Sequence, residues 1–299
     1  MKPIITSLRL ILGAGLLLLI PSPTQAQAPA HYAPGLEGIE AASMPGPGIY
    51  FKDYNLFYTS SQMNDQNGHC MSSAKFNANV YVQVPRFIWF TDTKFLGADV
   101  GCSLLVPVLY QNISAGPWSS SKVGVGDVMA DGILGWHTKQ FDFVVADGIW
   151  MPTGDSAIAP TADAGTGFWT DMVSAGATWH MDTEKTWALS VLNRYEFNSE
   201  QRDTHVTPGE AYTMEWGLSK TFIKTIDVGM VGYYQDKVTT DSGGMCPSPY
   251  HSSVAAVGPE IRGVVPGIDV QLSLRYEYEF MAEDRAQGQT ITFSVVKAF

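Results

Sequence analysis

Charge is scarce in this chain of 299 residues: Asp, Glu, Lys and Arg make up 16%, and 29 acidic residues outnumber 18 basic ones. A net charge of -11 argues against nucleic acid as a partner, which needs a basic surface. Cysteine is scarcer still. Cys70, Cys102 and Cys246 match no zinc spacing, and an odd number cannot all pair. One bridge, Cys70 with Cys246, is open if both lie in neighbouring loops; unpaired thiols are the alternative. After residue 26 no apolar run reaches the ~20 residues of a membrane helix, and helical periodicity is almost absent. Nothing resembles a phosphate-cradling loop, since Gly165 and Gly167 precede an extended stretch rather than a helix. MNDQNG (63–68) echoes a calcium loop, but Met63 stands where the first carboxylate belongs, so it reads as a polar turn. No metal or cofactor is expected.

What is present begins with MKPIITSLRLILGAGLLLLIPSPTQA: basic Lys2 and Arg9, an apolar core from Ile11 to Ile20, and small residues around Ala26. The core is too short to cross a bilayer, so residues 1–26 read as a secretory signal peptide. Its removal takes two basic and no acidic residues, moving the net charge from -11 to -13.

Alternation dominates the rest. In IDVQLSLRYEYEF, Ile268, Val270, Leu272, Leu274, Tyr276, Tyr278 and Phe280 share one face, against Asp269, Gln271, Ser273, Arg275, Glu277 and Glu279 on the other. A soluble sandwich also alternates, but its strands usually have ~5 or 6 residues, whereas membrane barrels use longer strands with aromatic girdles. Lys75 to Val84 and Leu96 to Tyr110 repeat the pattern, with Phe76, Ala78, Val80, Val82 and Val84 as one outer face and Cys102 as a small apolar filler. About twelve such segments occur, an even number that can close. The fold class expected is all-β, a transmembrane antiparallel up-and-down β-barrel of about 12 strands over residues 49–299. Residues 27–48, rich in proline and glycine, break the alternation; they are a periplasmic leader or a plug folded into the barrel.

Connections alternate between long and short. The long ones contain residues 68–73, 112–121, 152–165, 198–210, 241–251 and 281–288; short links lie at 91–94, 137–140, 182–185, 221–225 and 264–267. Since outer loops are longer than periplasmic turns, this parity puts both termini in the periplasm. Trp89, Trp136, Trp179 and Trp187 near short turns, with Trp150 and Trp169 near long loops, fit two interfacial belts.

Apolar faces toward lipid leave a polar lumen. Its candidate lining is Asp127, Asp131, Asp147, Arg194, Glu196, Glu215, Glu260, Arg262, Arg275 and Glu277, together with Asp227, Lys237, Asp269 and Glu279. These charges either filter what passes or pair across strands and fill the barrel.

HYAPGLEGIEAASMPGPGIYFKDYN (31–55) resembles the opening of the phenol meta-pathway (MetA-pathway) degradation proteins of proteobacteria. GVGDVMADGILGWH (124–137), PTGD (152–155), QDKVTTDSGG (235–244) and VGPEIRG (257–263) extend the resemblance over nearly the whole mature chain. It implies an outer-membrane barrel, often encoded beside aromatic-catabolic enzymes, that admits hydrophobic substrates. It supplies no catalytic residues.

The expected function is therefore an outer-membrane channel or uptake protein for small aromatic or hydrophobic compounds, not an enzyme. A barrel-borne hydrolase of the outer-membrane phospholipase type is the alternative, with His69 beside Ser72 or Ser73 as its nearest local group; a structural or adhesive barrel is another. GQTITFSVVKAF (288–299) resembles a barrel-assembly signal, with Phe299, Val295 and Phe293 on one face. The expected partners are outer-membrane lipid, the barrel-assembly machinery and a small-molecule solute.

Overall fold

The computed structural model of the chain describes residues 30–71, 75–156, 162–223, 225–244, 248–249 and 251–299. Among the described residues twelve antiparallel strands close into one barrel. They are β1 (Gly48–Met63), β2 (Phe76–Phe95), β3 (Ala98–Leu105 continued by Val108–Ala115), β4 (Trp118–Val125 continued by Val128–His137), β5 (Phe141–Met151), β6 (Thr170–His180), β7 (Trp187–Asn198), β8 (Ala211–Phe222), β9 (Ile226–Lys237), β10 (Ser253–Val265), β11 (Val270–Glu283) and β12 (Ala286–Ala298). β1 closes on β12 from Tyr50↔Ala298 to Met63↔Ala286, which removes the free edges an open sheet would carry. β3 is interrupted at Val106 and Pro107, because proline has no N–H for the ladder. Val106 N–H still reaches the Pro85 carbonyl at 3.1 Å, and Gly126 N–H reaches that of Pro107 at 2.8 Å.

Period two decides which side chains meet lipid. Along β11, Leu274, Tyr276, Tyr278 and Phe280 are exposed while Arg275, Glu277 and Glu279 are buried. Along β12, Ile291 and Phe293 point out and Thr290, Thr292 and Ser294 point in. Cys102 is an exposed free thiol on the outer wall.

Several expectations need correction. In β2 the faces are reversed: Ala78 and Val84 are buried inside, and Val82 packs on an inner cluster containing Tyr54, Leu56 and Leu105. Outside, Tyr81 donates to Asn55 Oδ1 (2.7 Å) and Gln83 Nε2 donates to Asp53 (3.0 Å). The cause is the lumen, which holds apolar protein rather than water alone, so this inner face is core. Asp147 also faces outward. It shares a face with Phe143, Val145 and Ile149, and its side chain hydrogen-bonds Asp171 of β6. Alternation places it there against its polarity. Asp269 lies exposed in the β10–β11 turn with φ 49° rather than in the lumen.

The expected long loops at 112–121 and 281–288 are mostly strand, turning at residues 116–117 and 284–285, and the expected link at 91–94 lies within β2. Polar strands that project beyond an apolar band keep their ladder bonds, so polarity alone does not mark a loop. Trp150 is buried inside the barrel, whereas Trp89 and Trp169 are exposed on the outer wall.

Candidate functional site

The lumen is occupied by residues 30–47, which precede β1 without a helix or a strand. A segment lacking its own ladder must have its backbone satisfied by other groups. Inward-facing side chains do this. His31 N–H and Tyr32 N–H donate to the two oxygens of Glu196 (2.8 and 3.2 Å), and Gly35 N–H and Glu37 N–H donate to Glu215 Oε1 (2.9 and 3.1 Å). Ile39 N–H donates to Glu260 Oε2 at 2.9 Å and Ala42 N–H to Ser190 Oγ at 3.0 Å. Leaving such a donor unmet costs about 1–3 kcal/mol, so these carboxylates fix the segment's path.

The glycines of PGLEG make the close approach possible. Gly35 has φ +81°, and a Cβ there would fall 2.6 Å from Glu277 Oε2; one at Gly38 would fall 1.8 Å from Glu260 Oε2. Between them Glu37 is clamped from the wall by Lys52 Nζ (2.7 Å), the Tyr54 hydroxyl (2.5 Å) and, more loosely, Arg86 (3.4 Å).

At one end the His31 ring stacks on Trp150 (centroids 5.5 Å apart) and meets Phe168 edge-on (4.6 Å). Its Nδ1 lies 2.6 Å from Thr170 Oγ1 and its Nε2 2.9 Å from Asp127 Oδ2. Asp127 also accepts the N–H groups of Gly154 (2.9 Å) and Thr166 (2.8 Å), so the PTGD corner is a turn tied to the same carboxylate. At the other end the Ser43 hydroxyl donates to Asp142 Oδ2 (2.8 Å), which His180 Nε2 also approaches at 3.0 Å. Asp142 stands between serine and histidine here, the wrong order for a histidine base acting on a serine.

Most of the expected lining residues do converge on the lumen. Arg194 pairs with Glu215, Arg275 with Glu260 (3.4 Å) and Glu277 (3.2 Å), and Arg262 with Asp227 (2.7 Å) and Glu40 (2.5 Å). Asp131 receives Arg86 at 2.8 Å and the Ser103 hydroxyl at 2.5 Å. Lys237, expected in the lumen, pairs with Asp241 at 2.6 Å, and Glu279 accepts the hydroxyls of Tyr233 (2.9 Å) and Tyr58 (3.1 Å). Glu196 is fully buried against the N-terminal segment, and Asp147 is not part of the site. Lys52, Arg86 and Asp142 were not anticipated as lining. The inverted parity of β2 hid Arg86, Asp142 carried no motif, and Lys52, although inside the 31–55 stretch, had no visible partner there.

Between the segment and the wall lies a cavity of ≈ 40 Å³ open to water centres, bordered by Leu36, Met129, Ile133, Val144, Met172 and Leu192 among others. One water needs roughly 10–15 Å³ on this measure, whereas a cavity that takes benzene is on the order of 150 Å³. This cavity thus has room for a few waters.

The remaining local candidates are unremarkable. Asp65 accepts N–H groups from Asn67 and His69 (2.9 Å each), which hold its carboxyl below the usual range and make MNDQNG a polar turn. Among the described residues no three His, Cys, Asp or Glu side chains converge on a metal position. Ser72, Ser73, Cys246 and residues 1–26 lie outside the described residues, so the hydrolase group at His69, the Cys70–Cys246 bridge and the signal peptide do too. Phe299, exposed, donates its N–H to the Ile49 carbonyl at 2.9 Å; Phe293 and Val295 sit on the outer wall beside β1, paired with Asn55 and Asp53.

A closed twelve-stranded barrel with an apolar exterior and a charged, occupied lumen is a bacterial outer-membrane protein. The family model described as "Putative MetA-pathway of phenol degradation" matches residues 60–295, and the chain belongs to that family. Among solved structures, an outer membrane channel from Pseudomonas putida F1 is similar at 13% identity, covering 90% of this chain and 100% of that one with a TM-score of 0.77. The β-domain of the Bordetella autotransporter BrkA (11% identity, 85% and 100% covered) and the translocator domain of autotransporter NalP from Neisseria meningitidis (10%, 87% and 92%) both have a TM-score of 0.49. No curated protein matches the chain.

Proposed function

We propose that this barrel is a passive uptake channel for small, uncharged aromatic or hydrophobic compounds, with residues 30–47 as its plug. The observation that carries the proposal is the apolar inner wall: Met129, Ile133, Val144, Met172 and Leu192 face a lumen that in a hydrophilic pore would be polar. Family membership supports the same solute class. A barrel of this size needs no apolar interior for stability alone when charged side chains can pair across it, as they do on the opposite wall.

Both termini are assigned to the periplasm, because the long connections 152–169, 199–210 and 238–252 leave from the other end. Lipid against the outer wall and the barrel-assembly machinery, reading Phe293, Val295 and Phe299, complete the proposal. The protein is assigned no enzymatic activity. The test is uptake of labelled toluene by porin-poor cells with and without the protein, their lipopolysaccharide being the barrier. Equal uptake by both would reject the channel.

A further inference from the structure

The lumen differs in chemistry around its circumference. On β4 to β7 an apolar group, Met129, Ile133, Val144, Ala146, Met172 and Leu192, borders the first cavity, with Asp131, Ser174 and Arg194 among it. On β1 and β10 to β12, Lys52, Glu260, Arg262, Gln271, Ser273 and Arg275 line a second cavity of ≈ 30 Å³. Leu36 and Glu37 border both cavities, so the segment is a partition between them.

The two ends of that partition are bonded to β5 and β7 through Asp142, Ser190 and Glu196, while its middle, residues 35–40, is held from β1, β8, β10 and β11. Glu37 is bonded to Lys52, Ile39 to Glu260, Glu40 to Arg262, and the Gly35 carbonyl accepts from Arg275. Toward β4 to β7 the same stretch offers Leu36, packed with Met129 and Met172, and Ala41, packed with Ile133 and Leu192. Sliding Leu36 and unbranched methionines aside breaks no hydrogen bond, and methionine adapts readily to aromatic surfaces. Pulling Glu37 or Glu40 off the charged wall strands buried ions, the costlier change. The passage should therefore widen on the apolar side while the partition stays seated.

We infer that the lumen carries two lanes: uncharged solutes of monocyclic size pass along the methionine-bearing sector of β4 to β7, while water and small ions follow the charged sector of β1 and β10 to β12. The inference rests on the channel reading and adds the route, its selectivity and the fate of the segment. The charges that border the apolar lane are paired with one another or with the wall: Asp131, between Met129 and Ile133 on the inner face of β4, with Arg86, Arg194 with Glu215, and Glu37 with Lys52. The second lane carries both signs within a few residues, so it passes ions with little preference.

The test narrows each lane separately in the full chain. Ala146→Phe and Ser174→Phe fill the apolar side; Ser273→Phe and Ser294→Phe fill the charged side, with the corresponding leucine variants as milder fillers. Only variants that assemble as folded, heat-modifiable barrels are compared. Two readouts are taken, toluene uptake by whole cells and K⁺ conductance in planar bilayers. Ala146→Phe and Ser174→Phe should cut toluene uptake at least several-fold and leave conductance unchanged, and the charged-side variants should do the reverse. If both readouts fall together in every variant, the segment leaves as a unit and the two-lane inference is overturned. Toluene uptake that responds to neither apolar-side filler overturns the inference and leaves the channel standing. Wild-type uptake no greater than that of empty cells rejects the channel and the inference together.

Discussion

Asp127 joins three parts of the chain through one carboxylate: Oδ2 lies 2.9 Å from His31 Nε2 and 2.8 Å from Thr166 N, and Oδ1 lies 2.9 Å from Gly154 N. It thus fastens the N-terminal segment and the PTGD corner at the break within β4. Asp127→Asn keeps the shape but replaces one acceptor with an NH₂ that faces other donors. Charge-assisted hydrogen bonds contribute about 1.5–3 kcal/mol, so the variant should lose roughly that much in urea unfolding from lipid vesicles. Residues 30–36 should also exchange their amide hydrogens faster. An unchanged unfolding midpoint with unchanged exchange would contradict this role.

Arg194 and Glu215 form a buried ion pair, with the Arg194 guanidinium also 4.0 Å over the Tyr32 ring. Glu215 accepts the Tyr32 hydroxyl and two backbone N–H groups besides. Arg194→Leu removes the one cation that bonds it among the described residues and leaves the carboxylate enclosed. Breaking a buried pair from one side typically costs about 3–5 kcal/mol, and that loss is expected in the same assay. A loss within error of zero would mean water reaches Glu215 freely.

Asp147 and Asp171 test the outer wall. Both lie among lipid-facing residues, and Asp147 is six residues along β5 from Phe141, roughly 15 Å up a strand tilted by ~40°. Charged side chains on that face destabilise barrels, acids by less than the ~2–4 kcal/mol of Arg or Lys at the midplane. The double variant Asp147→Leu with Asp171→Leu should therefore raise stability. A fall in stability would place the pair against protein rather than lipid.

The barrel was legible because alternation is a local rule that each strand obeys by itself, and an even number of such strands can close. Leu274 to Phe280 and Ile291 to Phe293 announce lipid without reference to anything distant, and the even strand number follows by counting. The misplaced apolar residues share one cause. Val84 and Trp150 are apolar residues that face inward, and they do so because Tyr32 and Leu36, distant in the chain, fill the barrel. Composition cannot distinguish an apolar face turned to lipid from one turned to a plug; the parity of Asp147 with Phe143 and Val145 could have flagged the mistake in β5. Most of the charged lining was readable from alternation, apart from Asp147, Asp269 and the missed Lys52, Arg86 and Asp142, but its partners were not, since His31 with Asp127 and Ile39 with Glu260 are contacts between distant segments.

Glu37 carries the last prediction, because it sits on the partition with cations on either side. Lys52 and Arg86 both reach it, and Arg86 has Asp131 as a second partner while Lys52, among the described residues, pairs with Glu37 alone. Glu37→Gln removes one negative charge where both cavities meet and leaves Lys52 uncompensated. The local potential becomes more positive, so the reversal potential across a KCl gradient should shift toward Cl⁻. Lys52→Gln should shift it toward K⁺, since the acid then stands with Arg86 only. Both variants put a hydrogen-bonding amide in place of the charged group, which separates the effect of charge from loss of the segment. Equal and opposite shifts would locate the ion path at the partition; two unmoved potentials would place it elsewhere in the barrel.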